Sequence, residues 1–338
     1  MTGYERIKAA LSGKKPDKTP IMLHNFMMAV NEAGYTMEQY RNNPKIIAEC
    51  FIRAVEKYQY DGIVVDIDTV TLAGACGVKV DFPQHEPARS HTGILSSLAE
   101  VNQLKPVDVQ NYRYANIWSE AVTLLKAYFK NEIYIRGNCD QAPFSLATMI
   151  RGVENMMMDL YLEEEKSVFA LLDHCYEATS QFIKMMIEAG ADMVSNGDSP
   201  AGPSMLSPDM YEQFALPYER KVCEYAHQSG IPYLLHICGN TDLIIDQMIT
   251  CGADVLELDY KTDIKKAEEK MHKTTVFAGN IDPVGVLAFG TPELVKLKTI
   301  ELLEVFKDNP RFILNAGCAI PSTTPPENLS MMISTARE

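Results

Sequence analysis

The stretch Gly252-Ala253-Asp254-Val255-Leu256-Glu257-Leu258-Asp259 contains the pattern that decides the fold of this chain. A glycine ends a helical segment, and a short, nearly continuous apolar run follows it at once. Residues 190–196 show the same order of signals. Apolar runs without strict alternation are typical of parallel strands that are buried on both faces. The pattern therefore predicts parallel strands that follow helices.

Working outward from this stretch, we find eight such runs, each followed by a helical pattern. They are Pro20–His24, Gly62–Asp66, Ile133–Gly137, Asp192–Asn196, Pro232–Ile237, Val255–Asp259, Thr275–Gly279 and Phe312–Asn315. Eight strands that alternate with helices predict an α/β fold, a (β/α)8 barrel of the TIM type, as a single domain over residues 1–338 with an N-terminal helical extension. The alternative is an open doubly wound sheet, but the glycine-rich nucleotide motifs of that class are missing.

Local signals place several helix starts and one long loop. Ser207-Pro208 and Thr291-Pro292 put a capping hydroxyl before a proline at the first helical position. Thr324 and Glu327 have the spacing of a capping box for the last helix. The segment from Asp81 to Asp108 has few strand signals, and we expect it to form a long loop over the barrel mouth.

Composition excludes several function classes. The chain has 338 residues, with 31 Lys and Arg against 45 Asp and Glu, which gives a net charge of −14. This balance argues against nucleic acid or an anionic membrane as partner. No apolar run is long enough to cross a bilayer. Eight scattered cysteines without an export signal favour a cytoplasmic protein with reduced thiols.

Soft metal ligands occur at the ends of two predicted strands. Active sites of such barrels lie at the carboxyl ends of the strands. His236 and Cys238 end the fifth strand and are two residues apart, so their side chains point to one side. Cys318 follows the eighth strand. One imidazole and two thiolates make a three-ligand zinc site with an open position, which is typical of catalytic zinc. A coincidental pair of buried polar residues is the competing interpretation of the His-x-Cys motif.

The ligand set limits the chemistry of this metal. Two thiolates cancel the charge of Zn²⁺, so the site suits activation of water less well than binding of a third thiolate. Alkyl transfer to sulfur fits such a site. Zinc with two cysteines and a histidine also serves alcohol oxidation, so the ligands alone leave the reaction open.

Other polar residues at or near the strand ends are candidates for substrate binding. They could contact substrate, orient His236 or provide a fourth zinc ligand. Equally, such residues cap helices and tie loops. The candidates are Asn25, Asp66, Asn138, Asp198, Glu257 and Asn280.

Several further segments together resemble the uroporphyrinogen decarboxylase superfamily, within it the corrinoid-dependent methyltransferases. The resemblance extends over nearly the whole chain and implies a (β/α)8 barrel. The segments are residues 15–20 (KPDKTP), 142–147 (APFSLA), 207–218, 278–283 (AGNIDP) and 315–328.

Two departures from the decarboxylase pattern favour the methyltransferase branch. Decarboxylases of this superfamily carry an arginine-rich segment after the first strand, whereas residues 24–30 (HNFMMAV) contain no arginine. They also carry a histidine near the position of Cys318. The methyltransferase branch carries a His-x-Cys motif and a distant cysteine as zinc ligands, which implies zinc at His236, Cys238 and Cys318.

The resemblance implies methyl transfer in one of two directions. Either a thiol such as coenzyme M takes the methyl group of a methylated corrinoid (cobalamin), or a Co(I) corrinoid takes it from a methylated small molecule. The corrinoid is expected on a partner protein. The methyl donor and acceptor, the fourth zinc ligand and the oligomeric state are left open. The alternatives are a tetrapyrrole decarboxylase and a non-catalytic corrinoid-binding protein.

Overall fold

Eight parallel strands form one closed sheet in the computed structural model, which describes residues 1–338. The sheet order is β1-β2-β5-β6-β7-β8-β9-β10, and a parallel bridge between Ile21 and Leu314 joins the last strand to the first. The predicted (β/α)8 barrel is therefore confirmed. The strands are β1 (Met22–Leu23), β2 (Gly62–Val65), β3 (Val80–Asp81), β4 (Arg89–Ser90), β5 (Tyr134–Gln141), β6 (Met193–Gly197), β7 (Tyr233–Ile237), β8 (Val255–Leu258), β9 (Val276–Ile281) and β10 (Phe312–Ala316).

Helices surround this sheet and alternate with its strands. In chain order they are α1 (Gly3–Leu11), α2 (Phe26–Glu32), α3 (Met37–Arg41), α4 (Pro44–Tyr58), α5 (Thr71–Ala75), α6 (Arg113–Phe129), α7 (Pro143–Arg151), α8 (Val153–Leu162), α9 (Glu165–Glu188), α10 (Pro208–Met210), α11 (Leu216–Gln228), α12 (Ile245–Thr250), α13 (Ile264–Met271), α14 (Pro292–Phe306) and α15 (Pro326–Arg337). A π-helical turn, Tyr211–Ala215, joins α10 to α11.

The predicted helix starts are correct at two of three places. Ser207 and Thr291 each accept a hydrogen bond from a backbone N–H in the first turn of the following helix. The predicted capping box is wrong, because Pro325 occupies the N-cap position of α15. This moves Thr324 one residue outside the helix, where its buried hydroxyl has no hydrogen-bond partner.

The lower half of the barrel interior is apolar. We call its eleven buried residues the apolar tier. Ile7 and Ala10 of α1 belong to it, so the N-terminal helix plugs the amino end of the barrel, as the expected N-terminal extension. The other members come from the strands: Met22, Val64, Tyr134, Met193, Leu234, Val255, Val276, Ala278 and Ile313.

A polar tier lies directly above the apolar one. In all eight barrel strands, the residue two positions beyond an apolar-tier residue is polar. Because side chains alternate along a strand, this spacing returns them to the same face. All members except Asn280 form a hydrogen bond, through side chain or backbone, with another member. The polar tier consists of His24, Asp66, Arg136, Ser195, His236, Glu257, Asn280 and Asn315.

The predicted long loop contains regular structure. Strands β3 and β4 pair as an antiparallel hairpin, and Leu98–Gln103 form a 3-10 helix. Strands of two residues are too short to leave a periodic signal in the sequence, so the predicted long loop contains regular structure that the sequence did not indicate. The guanidinium of Arg41 donates to the carbonyl of Glu86 and so holds the hairpin against α3.

Two findings concern the whole chain. None of its helices combines the length and the apolar character needed to span a bilayer. All eight cysteines are free thiols.

Candidate metal centre

His236, Cys238 and Cys318 converge at the carboxyl end of the barrel. Nε2 of His236 lies 3.0 Å from Sγ of Cys238, and the two sulfur atoms are 3.7 Å apart. The three donor atoms all lie within 4.8 Å of one another. All three side chains are partly exposed, so the cluster is reachable from the mouth. The structure thus brings together residues that are 80 positions apart in the chain.

Two glycines next to the cysteines allow this approach. Gly239 follows Cys238 with a φ of +87°, a backbone conformation that other residues rarely adopt. Its N–H donates to the Asp259 carboxylate at 2.9 Å, which fixes the turn after β7. A side chain at Gly317 would place its Cβ 2.6 Å from the backbone nitrogen of Tyr260. Cys318 can therefore reach the cluster because the chain before it packs directly on the neighbouring loop.

The imidazole of His236 is oriented by its second nitrogen. Nδ1 lies 2.9 Å from the carbonyl oxygen of Glu257, which can only accept a hydrogen bond. Nδ1 therefore carries a proton, and Nε2 faces the thiols. Burial alone would lower the pKa of His236, but the neighbouring Cys238 thiolate raises it to about 9. A hydrogen bond from the Cys318 thiol, together with His236, lowers the pKa of Cys238.

These donors fit a zinc ion. Tetrahedral zinc with Zn–S bonds of 2.3 Å holds two sulfur atoms about 3.8 Å apart, close to the separation seen here. A zinc-binding histidine usually donates its other N–H to a carbonyl or carboxylate, as His236 does to Glu257. The cluster offers three donors, which is the number found in catalytic rather than structural zinc sites.

Glu257 is a predicted residue that contacts this cluster directly, through His236. Its carboxylate forms a buried, two-pronged ion pair with Arg136, at 2.7 and 3.1 Å. It also accepts a hydrogen bond from Asn315 at 2.8 Å. Burial opposes ionisation, but the charge and hydrogen bonds of Arg136 lower the pKa of Glu257 to about 2. The carboxylate is therefore ionised at neutral pH.

Three further candidates lie around the mouth without joining the cluster. Asp66 accepts a hydrogen bond from His24 Nε2 at 2.6 Å. Asn138 accepts one from Ser195 at 3.1 Å. Asn280 donates to the carbonyl of Asp259 at 3.1 Å, so it supports the loop that holds Gly239.

The structure places the remaining two candidates away from the cluster. The carboxylate of Asp198 is fully buried and caps α7 through the N–H and hydroxyl of Ser145. Asn25 is fully buried at the start of α2, beside the hydroxyl of Tyr60. These positions give no support to the predicted contact of Asp198 and Asn25 with substrate, because both side chains point into packed layers.

Sequence reasoning missed Arg136 and Ser195, and it placed Asn315 at the end of the eighth strand without giving it a role. Each follows an apolar-tier residue by two positions, so the strand period could have found them once the inward face of one strand was known. Arg136 also carried a direct signal, since a charged residue inside a buried parallel strand needs a partner.

Comparison with known proteins gives consistent results. Residues 2–338 match the family described as uroporphyrinogen decarboxylase (URO-D). The chain is 30% identical over 347 residues to the methylcobamide:CoM methyltransferase MtbA of Methanosarcina acetivorans, covering 100% of this chain and 99% of that protein. It is 26% identical over 348 residues to uroporphyrinogen decarboxylase of Prochlorococcus marinus, covering 97% and 95%. A solved methyltransferase structure from Methanosarcina mazei has a TM-score of 0.90 and 24% identity, covering 100% and 98%, and shares the fold.

Proposed function

This chain belongs to the uroporphyrinogen decarboxylase family, and from that premise we propose that it is a zinc-dependent methyltransferase acting between a corrinoid and a small thiol. It is an enzyme of the methyltransferase kind, as its relatives are named. The convergence of His236, Cys238 and Cys318 carries the proposal. Coenzyme M is the first thiol to test, because the Methanosarcina relatives are named for it.

The three ligands determine what a bound metal can do. When bound, zinc supplies a positive centre that keeps a thiol deprotonated near neutral pH while leaving its sulfur nucleophilic. The ligand set contributes two negative charges, so the site with its metal is close to neutral. A neutral site withdraws less electron density from a bound thiolate than a positive site would, so the sulfur stays more nucleophilic.

The net reaction forms a sulfur–carbon bond and breaks the sulfur–hydrogen and cobalt–carbon bonds. The thiol sulfur bonds to the methyl carbon, and the cobalt–carbon bond of the methylated corrinoid breaks with its electron pair left on cobalt, which becomes Co(I). The thiol proton leaves to solvent through the mouth. In the opposite arrangement, Co(I) takes a methyl group from a methylated small molecule. The corrinoid is expected on a partner protein.

The protein's own residues orient and neutralise the site. Glu257 holds the Nδ1 proton of His236 through its carbonyl oxygen, which keeps Nε2 available as a ligand. Arg136 balances the charge of the Glu257 carboxylate. The apolar tier and α1 fill the barrel below, so solvent reaches the cluster from the mouth alone.

A tetrapyrrole decarboxylase is the second candidate, because uroporphyrinogen decarboxylases also align over nearly the whole chain. The residues after β1 argue against it: α2, Phe26–Glu32, carries no arginine to bind the substrate's carboxylates. Incubation with uroporphyrinogen separates the two candidates. Formation of coproporphyrinogen would overturn our ranking.

Metal analysis of the purified protein tests the site directly. We expect about one zinc per chain, lost in His236→Ala and Cys318→Ser, by the ligand count of a catalytic site. Cys76→Ser is the matched control, because Cys76 is also a partly exposed free thiol but lies outside the cluster. A wild-type protein that is active without metal would refute the zinc proposal.

Activity is tested with free methylcobalamin and a panel of thiols. We expect a spectral change from methylcobalamin to Co(I) that requires a thiol and is absent in Cys318→Ser. Binding of methylcobalamin without turnover under all conditions would indicate a corrinoid-binding protein instead. A single functional domain over residues 1–338 and a cytoplasmic location remain predictions.

A further inference from the structure

Arg41 is a buried arginine that has no ion-pair partner. Three arginines are buried in this chain, and the side chain of Arg41 is completely covered. Arg136 pairs with Glu257 at 2.7 Å and Arg151 with Asp159 at 2.6 Å, whereas Arg41 forms no ion pair. A buried charge is costly unless it is paired and hydrogen-bonded. Arg41 therefore lacks the partner that the other two buried arginines have.

Most donors of the Arg41 guanidinium are unused. Nη2 donates to the backbone carbonyl of Glu86, but Nε and Nη1 have no hydrogen-bond partner in the protein. These two nitrogens carry three of the five N–H donors of a guanidinium. Asp68 attracts the guanidinium from a distance, while its Oδ1 accepts from the N–H of Val70 and the hydroxyl of Thr71. Burial outweighs this attraction and lowers the pKa of Arg41.

The guanidinium lies at the carboxyl end of the barrel, beneath the hairpin of β3 and β4. Arg41 is the last residue of α3, and the hydroxyl of the preceding Tyr40 donates to the carbonyl of Asp66, directly beyond β2, at 2.7 Å. The hairpin covers it with the ring of Phe82, whose centroid lies 5.8 Å from Cζ of Arg41. Most residues from 79 to 91 are exposed, so a single layer of chain separates the guanidinium from solvent.

Few contacts hold this hairpin in place. Its two strands have two residues each. It is joined to α3 by hydrogen bonds from the N–H of Glu38 and from Arg41. Phe82 also stacks on Tyr114, with ring centroids 4.6 Å apart. Exposed segments with few buried contacts open locally at low cost in free energy. Opening of the hairpin would bring Arg41 into contact with molecules in the mouth.

We propose that Arg41 is the binding site for a small oxyanion, a carboxylate or a sulfonate, that enters the mouth beneath the β3–β4 hairpin. Such an anion supplies the charge that the guanidinium lacks and accepts hydrogen bonds from its unpartnered nitrogens. The planar guanidinium suits these groups, since it can donate two parallel hydrogen bonds to one of them. The site shares no residue with the metal cluster, so it can be tested in the absence of zinc.

Equilibrium dialysis of the full-length protein with radiolabelled methanesulfonate or acetate, at constant ionic strength, tests this site. We expect wild type to bind about one anion per chain, and Arg41→Met to bind it about 10- to 100-fold more weakly, as expected for loss of charge-assisted hydrogen bonds. Arg53→Met is the matched control, because Arg53 is an exposed arginine paired with Glu49. Dimethyl sulfone, the neutral analogue of methanesulfonate, should not compete. A wild type that binds neither anion, or unchanged affinity in Arg41→Met, would refute the proposal.

Urea denaturation without any anion separates binding from support of the fold. Methionine removes the cost of burying an unpaired charge, so we expect the urea midpoint of Arg41→Met to equal or exceed that of wild type. A structural role for Arg41 predicts the opposite, and a lower midpoint or failure to fold would overturn the proposal. Arg41→Lys keeps the charge but loses the planar fork, and we expect it to bind the anion more weakly than wild type. Unchanged affinity in this variant would contradict recognition by the guanidinium.

Displacement of labelled methanesulfonate identifies the source of the oxyanion. Coenzyme M carries a sulfonate, and 2-mercaptoethanol has a hydroxyl in its place. Displacement by coenzyme M but not by 2-mercaptoethanol assigns the site to the sulfonate of the proposed thiol substrate, whereas displacement by acetate alone assigns it to a carboxylate ligand. The same dialysis with His236→Ala keeps the two proposals apart. We expect this variant to bind the anion as wild type does, so failure of the zinc proposal would leave the Arg41 site standing.

Discussion

Glu219→Gln should change how the stability of this protein depends on pH. Glu219 and Asp198 are fully buried and lie next to each other behind β6. Asp198 Oδ1 accepts from the N–H and hydroxyl of Ser145, and Tyr211 donates to Glu219 Oε2. The remaining oxygens, Oδ2 of Asp198 and Oε1 of Glu219, have no donor. Because two adjacent buried carboxylates repel each other and each has an oxygen without a donor, we expect the pair to hold one proton.

The size of the effect follows from that proton. Burial raises the pKa of Asp198 to about 6, and burial together with the charge of Asp198 raises that of Glu219 well above its ordinary value. Above pH 4.5 the unfolded chain has lost this proton while the folded protein still holds it. Folding then takes up one proton, so the free energy of unfolding falls by about 1.4 kcal/mol per pH unit. This loss continues until the pair ionises in the folded state.

Glutamine supplies a permanent N–H where the shared proton lies, so the variant folds without taking one up. Because the pKa of Glu219 is raised in the folded protein, we expect the stability difference between Glu219→Gln and wild type to grow as the pH rises above 4.5, by at most about 1.4 kcal/mol per pH unit, and to level off once Glu219 ionises in the folded state. Urea denaturation at pH 6, 7 and 8 measures this difference. Glu224→Gln is the control, because Glu224 lies exposed on the same helix. Parallel pH profiles for Glu219→Gln and wild type would show that no proton is shared.

Further predictions concern the metal site and the closed end of the barrel. Gly317→Ala should lower zinc affinity at least about tenfold, as measured by competition with a chelator, because the added Cβ clashes with the backbone of Tyr260 and shifts the chain that carries Cys318. Free zinc at 100 times its dissociation constant should stabilise wild type by about 2.7 kcal/mol in denaturation and leave Cys318→Ser unchanged. Asp61→Ala should cost about 3–5 kcal/mol, because Asp61 is the buried partner of both Arg6 and Arg337; a loss below 1 kcal/mol would contradict this.

Most of the fold could be predicted because its signals are local. Every predicted barrel strand overlaps an observed one, and the glycine before β8 ends a helix where the pattern placed it. The same period-two argument placed His236 and Cys238 on one side of β7. Cys318 needed the additional step that barrel strands end at one face, and the structure confirms that it meets the other two.

The remaining features depend on packing that the sequence does not display. The pairing of Arg136 with Glu257 joins residues 121 positions apart across the barrel interior, and no local pattern specifies such a partner. Asp198 lies directly after β6, as the candidates for the mouth do, but its carboxylate turns outward to α7. Whether a residue beyond a strand end faces the mouth or the helices depends on the turn that follows it.

The plugged amino end of the barrel has a consequence for the order of events. Because α1 and the apolar tier fill the amino end of the barrel, small molecules reach the site from the carboxyl end alone. A bulky corrinoid carried by another protein would cover this opening. The small reactant should therefore bind first and its product should be released last. Steady-state kinetics should follow an ordered mechanism.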